Sequence, residues 1–105
     1  MTETMFVKYF GSTPFIRALD FFIDNHLFDY SKSDVSRYLD ISRVTLQEVF
    51  GKLSRLKLIK QTRFVGKAKM YALHTENPVV KKMMKFDLQI STAASETEAH
   101  KTNAA

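Results

Sequence analysis

Apolar positions recur along the chain in distinct rhythms, and each rhythm predicts an element. From Pro14 to Asp24 the side chains Phe15, Ile16, Leu19, Phe22 and Ile23 return every three or four residues, the spacing of one helical face. Thr13 offers a capping hydroxyl, and Pro14 stands at the first helical position, where its missing N–H is not needed. Asn25 reads as a left-handed stop. Ser31-Lys32-Ser33-Asp34 has the pattern of a capping box, which predicts a short helix over Lys32–Leu39 with Val35 and Leu39 inward. Asp40-Ile41-Ser42 makes a tight turn, and Ser42 caps a longer helix from Arg43 to about Lys57. Around that helix Leu46, Val49, Phe50, Leu53 and Leu56 fall within an arc of roughly 120°.

The rhythm then changes. Leu58–Val65 (LIKQTRFV) and Lys69–Leu73 (KMYAL) read as strands joined by Gly66-Lys67-Ala68, a β-hairpin. Asn77-Pro78 opens a last helix that runs to about Ile90. Its apolar residues Val79, Val80, Met83, Met84, Phe86, Leu88 and Ile90 cover roughly 200°, against about 100° for packing on one small domain. The surplus predicts a second apolar contact, most simply a symmetric homodimer, with Val79, Val80, Met83, Met84, Phe86 and Ile90 as the dimerisation residues. Lys81, Lys82 and Lys85 take the remaining side. A basic amphipathic helix can also lie on a membrane, but the wide apolar arc and the absence of Trp speak against a membrane here. Met5–Phe10 (MFVKYF) reads as a strand or an N-terminal arm that can join the same interface. His26–Tyr30 (HLFDY) reads as a loop whose apolar side chains pack onto the core. From Ser91 onward no apolar side chain is larger than Ala, so the tail is expected to be disordered. The division is therefore an arm over residues 1–12, a domain over 13–76, a C-terminal helix over 77–90 and a tail over 91–105.

A chain of 105 residues supports one small domain. It has no cysteine, which excludes disulfides, thiol catalysis, iron–sulfur clusters and cysteine zinc sites. His26, His74 and His100 lack metal-ligand spacing, and no phosphate loop, nucleophile motif or carboxylate pair is present. The expectation is a protein that is not an enzyme and takes no cofactor or metal; no cluster of polar residues marks an effector pocket. No apolar run approaches the roughly 20 residues of a membrane span. Met1–Lys8 lacks the basic-then-apolar order of a secretory signal, which leaves the cytoplasm as the default compartment.

Charge changes the picture more. The 16 basic and 11 acidic residues give a net charge of +5, and residues 91–105 contribute only Glu96, Glu98 and Lys101. The first ninety residues thus carry +6, which suits a polyanionic partner. From Arg43 to Lys69 there are eight basic residues and one acid, Glu48. The order of helix, short helix, three-residue turn, longer helix and hairpin is that of a helix-turn-helix followed by a wing. In such docking on double-stranded DNA, the second motif helix puts its first residues against base edges of the major groove. The recognition-helix candidates are Ser42, Arg43, Thr45, Gln47 and Lys52. Arg can grip guanine and Gln adenine through paired bonds, and Thr45 can meet a base, a phosphate or a thymine methyl. Glu48 can accept from cytosine, although pairing with Lys52 one turn on is the favoured reading. Ser31, Lys32 and Arg37 are candidate backbone contacts, Ser31 having its cap to make as well. Arg63, Lys67 and Lys69 belong to the wing, along a minor groove or flanking phosphates. Gly51 interrupts the polar face, either to let the helix approach a groove closely or because the site tolerates it. Phe10, Phe64 and Tyr71 can stack RNA bases but are expected to face the core.

The run SKSDVSRYLDISRVTLQEVFGKLSRLKLIKQTRFVGKAKMYAL resembles the winged helix-turn-helix domains of prokaryotic transcriptional regulators. The block FGSTPFIRALDFFIDNHLFDYS ahead of it resembles small archaeal regulators of that type, so the resemblance covers about residues 6–90. Its most specific part is Ile41-Ser42-Arg43 leading into Thr45, then Leu53, Ile59 and the basic hairpin. The resemblance implies a mainly helical fold, a dimeric DNA-binding regulator, Ser42, Arg43 and Thr45 at bases, and Lys67 at the wing. Asp40 stands where the family usually has Gly, Val44 where Pro is frequent, and Gly51 where a charge is usual. Asp tolerates the left-handed conformation, so the turn survives. The alternative is an architectural or assembly winged-helix module, as in segregation, replication or transcription complexes, that binds DNA without sequence choice or binds a protein partner.

Overall fold

A computed structural model describes residues 3–104, with side chains as far as Ala93. Where a strand or arm was expected, the Thr4 hydroxyl accepts from the Val7 N–H and begins a six-residue helix, α1 (Met5–Phe10). The reason is tertiary. Phe6 and Val7 are adjacent and both buried, whereas a strand turns neighbours to opposite faces. Phe10 closes the contact, its ring 4.9 Å from that of Phe6 and 5.9 Å from that of Phe86.

α2 (Pro14–Asp24) starts on the Thr13 cap and buries Ala18, Leu19, Phe21, Phe22 and Ile23. Asn25 ends it without a left-handed residue: its φ is −117°, and its side-chain amide donates to the Phe21 carbonyl at 2.8 Å. That bond satisfies an orphan C-terminal carbonyl, so no left-handed turn is needed. α3 (Lys32–Leu39) carries the full capping box, Ser31 Oγ accepting from Asp34 N–H and the Asp34 carboxylate accepting from Ser31 N–H. That backbone donor is the chief reason the Asp34 carboxyl titrates below its ordinary range. Asp40 adopts the left-handed conformation at φ 53°, ψ 50° and turns the chain into α4 (Arg43–Arg55), capped by Ser42. α4 buries Leu46, Val49, Phe50 and Leu53. It stops before the expected Lys57, because that residue takes a φ of 58° and Leu58 N–H returns to the Leu53 carbonyl. Leu56 therefore leaves the stripe and is exposed.

Phe22 and Phe50 meet edge to face at 5.7 Å in the centre of the core, with Val35, Leu46, Leu53, Leu73 and Val80 around them. Truncating either ring to Ala is expected to cost roughly 3–5 kcal/mol. β1 (Ile59–Val65) and β2 (Ala68–Leu73) pair antiparallel from Ile59↔Leu73 to Val65↔Ala68, with a register shift between Gln61 and Arg63. Gly66, at φ 61°, forms the turn with Lys67, so Ala68 already belongs to the strand. Tyr30 and Tyr71 exchange backbone hydrogen bonds of 2.7 and 2.8 Å, which fasten the base of the hairpin to the helical body. That pairing orients the segment before Tyr30, and Leu27 and Phe28 are exposed rather than packed on the core as expected.

Asn77 Oδ1 accepts from the Val79 N–H at the start of α5 (Pro78–Ala104). The helix passes the expected end at Ile90, and the stretch from Ser91, expected to be disordered, continues it to Ala104. Lengthening a formed helix needs no new nucleus, which offsets the lack of apolar side chains there. The architecture is mainly helical, with a two-stranded antiparallel hairpin and a C-terminal helix. Among the described residues no helix is long and apolar enough to cross a membrane.

Candidate functional site

The first turns of α3 and α4 and the end of the hairpin meet around an open groove of about 260 Å³. Lys32 and Ser33 come from α3, Arg43 from α4, and Lys67, Lys69 and Tyr71 from the hairpin. Each is placed by a local device. The capping box fixes the direction of α3, the left-handed Asp40 fixes the bend to α4, and the Tyr30–Tyr71 bridge fixes the base of the hairpin. The Arg43 guanidinium donates to Ser33 Oγ at 2.6 Å, and the Lys32 ammonium donates to Gln47 Oε1 at 2.9 Å. Lys32 also lies 6.0 Å from the ring centres of Phe50 and Tyr71. Four cations from three elements thus share one concavity, and no carboxylate lines it.

The rest of α4 divides. Val44, Gln47, Glu48 and Arg55 are exposed on the side away from the core. Ser42 and Thr45 are joined to each other: Ser42 Oγ accepts from the Thr45 N–H and donates to Thr45 Oγ1 at 2.9 Å. A Cβ added at Gly51 would sit 3.5 Å from the Arg55 guanidinium, an ordinary contact, so nothing within the fold demands glycine there.

Of the remaining candidates, Lys52, Arg37 and Arg63 lie outside the groove, and Ser31 lines it with its hydroxyl already used. Lys52 sets its ammonium 4.4 Å from the centre of the Phe15 ring on α2, and the Glu48–Lys52 pair is not among the ion pairs of the described residues. Attraction to the ring face, with the ammonium still wet, competes with the carboxylate one turn away. Ser31 is buried, and its hydroxyl is committed to the α3 cap rather than free for a phosphate. Arg37 pairs with Asp34 at 2.9 Å and lines a separate hollow with Tyr38 and Asp29. Arg63 points away from the groove. Its guanidinium grips Asp29 through two bonds, Nε to Oδ2 at 2.9 Å and Nη2 to Oδ1 at 3.1 Å, and the Thr62 hydroxyl adds a third at 2.7 Å. Arg63, and then Thr62, hold the Asp29 carboxyl down to about 2. Alternation along the strands puts Arg63, opposite Met70, on the other face of the hairpin from Lys69 and Tyr71.

Val44, 79% exposed in the first turn of α4, was not singled out as a contact from the sequence. The angular arithmetic that finds the buried stripe also puts Val44 nearly opposite to it. Asp29 was missed too, because its partner stands 34 residues away. On α5, Val80 has no exposure at all, and Met83, Met84 and Ile90 pack against the core. That leaves Val79 and Phe86 open among the dimerisation candidates, with the half-exposed Phe10 beside Phe86. Tyr71 faces the core as expected, 5.1 Å from Phe50, but Phe64 does not.

A second charged feature involves α2 and α5, where Asp20 is buried near Asp24 and Asp87. Burial first, and the Asp24 charge second, raise the Asp20 carboxyl to about 6; the Thr4 hydroxyl opposes the rise. One Asp20 oxygen, Oδ1, has no hydrogen-bond partner. Burial also raises Asp24 and Asp87. His26 Nδ1 lies 2.9 Å from the Ile23 carbonyl, and His74 lies 3.7 Å from Glu76. Among the described residues no group of three or more His, Asp or Glu side chains is placed to hold a metal ion. Comparison of the chain with protein-family models, with curated proteins and with solved structures finds no match in any of the three.

Proposed function

We propose that the protein is a sequence-specific double-stranded DNA-binding transcriptional regulator, built as a winged helix-turn-helix and acting by binding rather than by catalysis. α3 and α4 are the two motif helices, and the hairpin is the wing. One observation carries the reading: Lys32, Arg43, Lys67 and Lys69 converge from three elements on one groove beside the open face of α4. Cations gathered without a carboxylate repel one another. A phosphodiester backbone laid in the groove relieves that repulsion and releases counterions. α4 is then free to enter the major groove, where Arg43 and Gln47 have the chemistry of guanine and adenine readers. To reach a base, each must leave its resting partner, Ser33 or Lys32.

A second copy of the chain completes the reading. The exposed Phe10, Val79 and Phe86 supply an apolar patch where α1 meets α5. A symmetric pair through that patch presents two α4 helices to half-sites about one turn of DNA apart.

The engagement of Arg43 and Gln47 within the protein favours one alternative, an architectural module that grips phosphates and ignores sequence. Selection of bound oligonucleotides from a random pool, followed by salt titration of the selected and random duplexes, separates the two. An enriched sequence bound far more tightly than random duplex supports the regulator. A steep salt slope, about −3.6 per protomer for four phosphate contacts, with no enriched sequence makes it architectural. Absence of duplex binding at low salt overturns both readings.

A further inference from the structure

We infer that Phe64 is an apolar wedge of the hairpin, inserted between stacked base pairs in the minor groove so that the bound duplex is kinked; this rests on the DNA reading above. The register sets the geometry. Phe64 stands directly opposite Lys69, and Lys69 shares its strand face with Tyr71, whose ring packs on Phe50 of α4. The shift between Gln61 and Arg63 lets Arg63 turn to Asp29 on one face while Phe64 turns to the α4 side. Phe64 lies beyond the reach of the core, however, and is 59% exposed.

A large ring left in water near the end of a hairpin gains nothing for folding that a threonine would not supply. Its surroundings name the occupant. Lys69 stands opposite it, Lys67 is in the turn that follows, and from Val49 to Thr75 the chain carries no acidic residue. An apolar side chain flanked by cations fits a polymer with anionic edges and an apolar stacked interior. Proteins that bend DNA through the minor groove insert Phe, Leu, Ile, Met or Pro between base steps in this way. An anionic membrane has related chemistry. DNA is favoured because Phe64 turns to the same side as α4 and because Lys67 and Lys69 line the groove with Arg43.

The test uses the full chain and a duplex labelled at both ends for energy transfer, with 2-aminopurine placed at A·T steps outside the α4 footprint. Wild type is expected to shorten the end-to-end distance and raise 2-aminopurine fluorescence. Phe64→Leu keeps both signals. Phe64→Lys, which preserves the cationic surface, loses both while still binding. Phe64→Ala loses both and binds about tenfold more weakly. A melting temperature near that of wild type confirms that each variant folds, as expected for a site so exposed. If Phe64→Ala or Phe64→Lys bends the duplex as wild type does, the wedge is wrong and the DNA reading stands. If wild type binds no duplex at low salt, the DNA reading fails and takes the wedge with it. If Phe64→Ala leaves duplex binding intact but abolishes binding to phosphatidylserine vesicles, the ring belongs to a membrane contact and the wedge is overturned.

Discussion

Arg43, the first residue of α4, donates its guanidinium to the hydroxyl of Ser33 in the first turn of α3, a 2.6 Å bond across the bend between the two helices. Beside it, Lys32 holds Gln47 in the same manner. The two side chains with the best base-reading chemistry therefore rest on α3, Arg43 on Ser33 and Gln47 on Lys32. Exchange of protein partners for DNA partners makes Arg43 the sharpest single probe of the site. Arg43→Ala is expected to cost roughly 1–3 kcal/mol of specific binding and to relax base preference at one position. Lys67→Ala is expected to weaken all duplexes alike and to lower the salt slope by about 1. Arg63→Ala, already tied to Asp29, should change duplex affinity less than Lys67→Ala does. Equal losses for selected and random duplex with Arg43→Ala would remove base readout from the proposal.

Gly51 tests how closely α4 must approach its target. Nothing in the fold opposes a methyl group there, and glycine costs a helix about 1 kcal/mol relative to alanine. Gly51→Ala should therefore raise stability by about that amount in denaturant titration. If α4 lies deep in a groove, the same variant binds duplex less tightly. A variant that gains stability and binds unchanged would show that the glycine serves no close approach.

Acidity should act on stability through Asp20. Its carboxyl titrates near 6 in the folded protein, against 3.8 when unperturbed. Between those values the folded state keeps a proton that the unfolded state has released. Stability contributed by this group is thus complete below about pH 4 and declines as pH rises to about 6, with no further change above. Asp24 and Asp87 are raised in the same direction. Asp20→Asn removes the largest part of the decline. It should raise the melting temperature at neutral pH, by at most roughly 1–3 kcal/mol in stability, and leave it nearly unchanged near pH 4. Equal effects at both pH values would mean that burial of a charge is not what this carboxylate contributes.

On α5, neighbouring positions should respond in opposite ways. Phe86→Glu places a charge on the exposed patch shared with Phe10, and sedimentation should show the proposed dimer replaced by a folded monomer. Val80→Ala, six residues earlier and wholly buried, should leave the association state alone and cost roughly 2 kcal/mol of stability. A Phe86→Glu chain that stays dimeric would move the contact elsewhere.

The elements whose starts depend on a local hydrogen bond were legible in the sequence. Thr13, Ser31 and Ser42 each cap the helix they were expected to cap, and the capping box at Ser31 and Asp34 is complete. Hairpin and turn followed from Gly66 and the flanking β-branched and aromatic residues. What stayed hidden depends on distant partners. α1 is helical because Phe6 and Phe10 have the α2 and α5 surfaces to meet, and six residues alone carry no helical period to read. Arg63 looked like a free cation because Asp29 lies on a loop 34 residues away in the chain. Phe64 looked like core because it is a large apolar residue in a strand, but it stands near the end of the hairpin, beyond the reach of the core, and is exposed. The groove cations Lys32, Arg43, Lys67 and Lys69 were each visible as charge, but their convergence required the bend at Asp40 and the angle of the hairpin.

The anchoring of that hairpin through both of its strands has a kinetic consequence. Tyr30 stitches one edge through Tyr71, and Asp29 struts the other face through Arg63. The outer residues from Phe64 to Lys69 therefore project as a stiff finger whose aim is set before any target arrives. Such a finger has little freedom left to lose on contact, so encounters should convert to bound complexes quickly, and selectivity should appear in how long the partner stays.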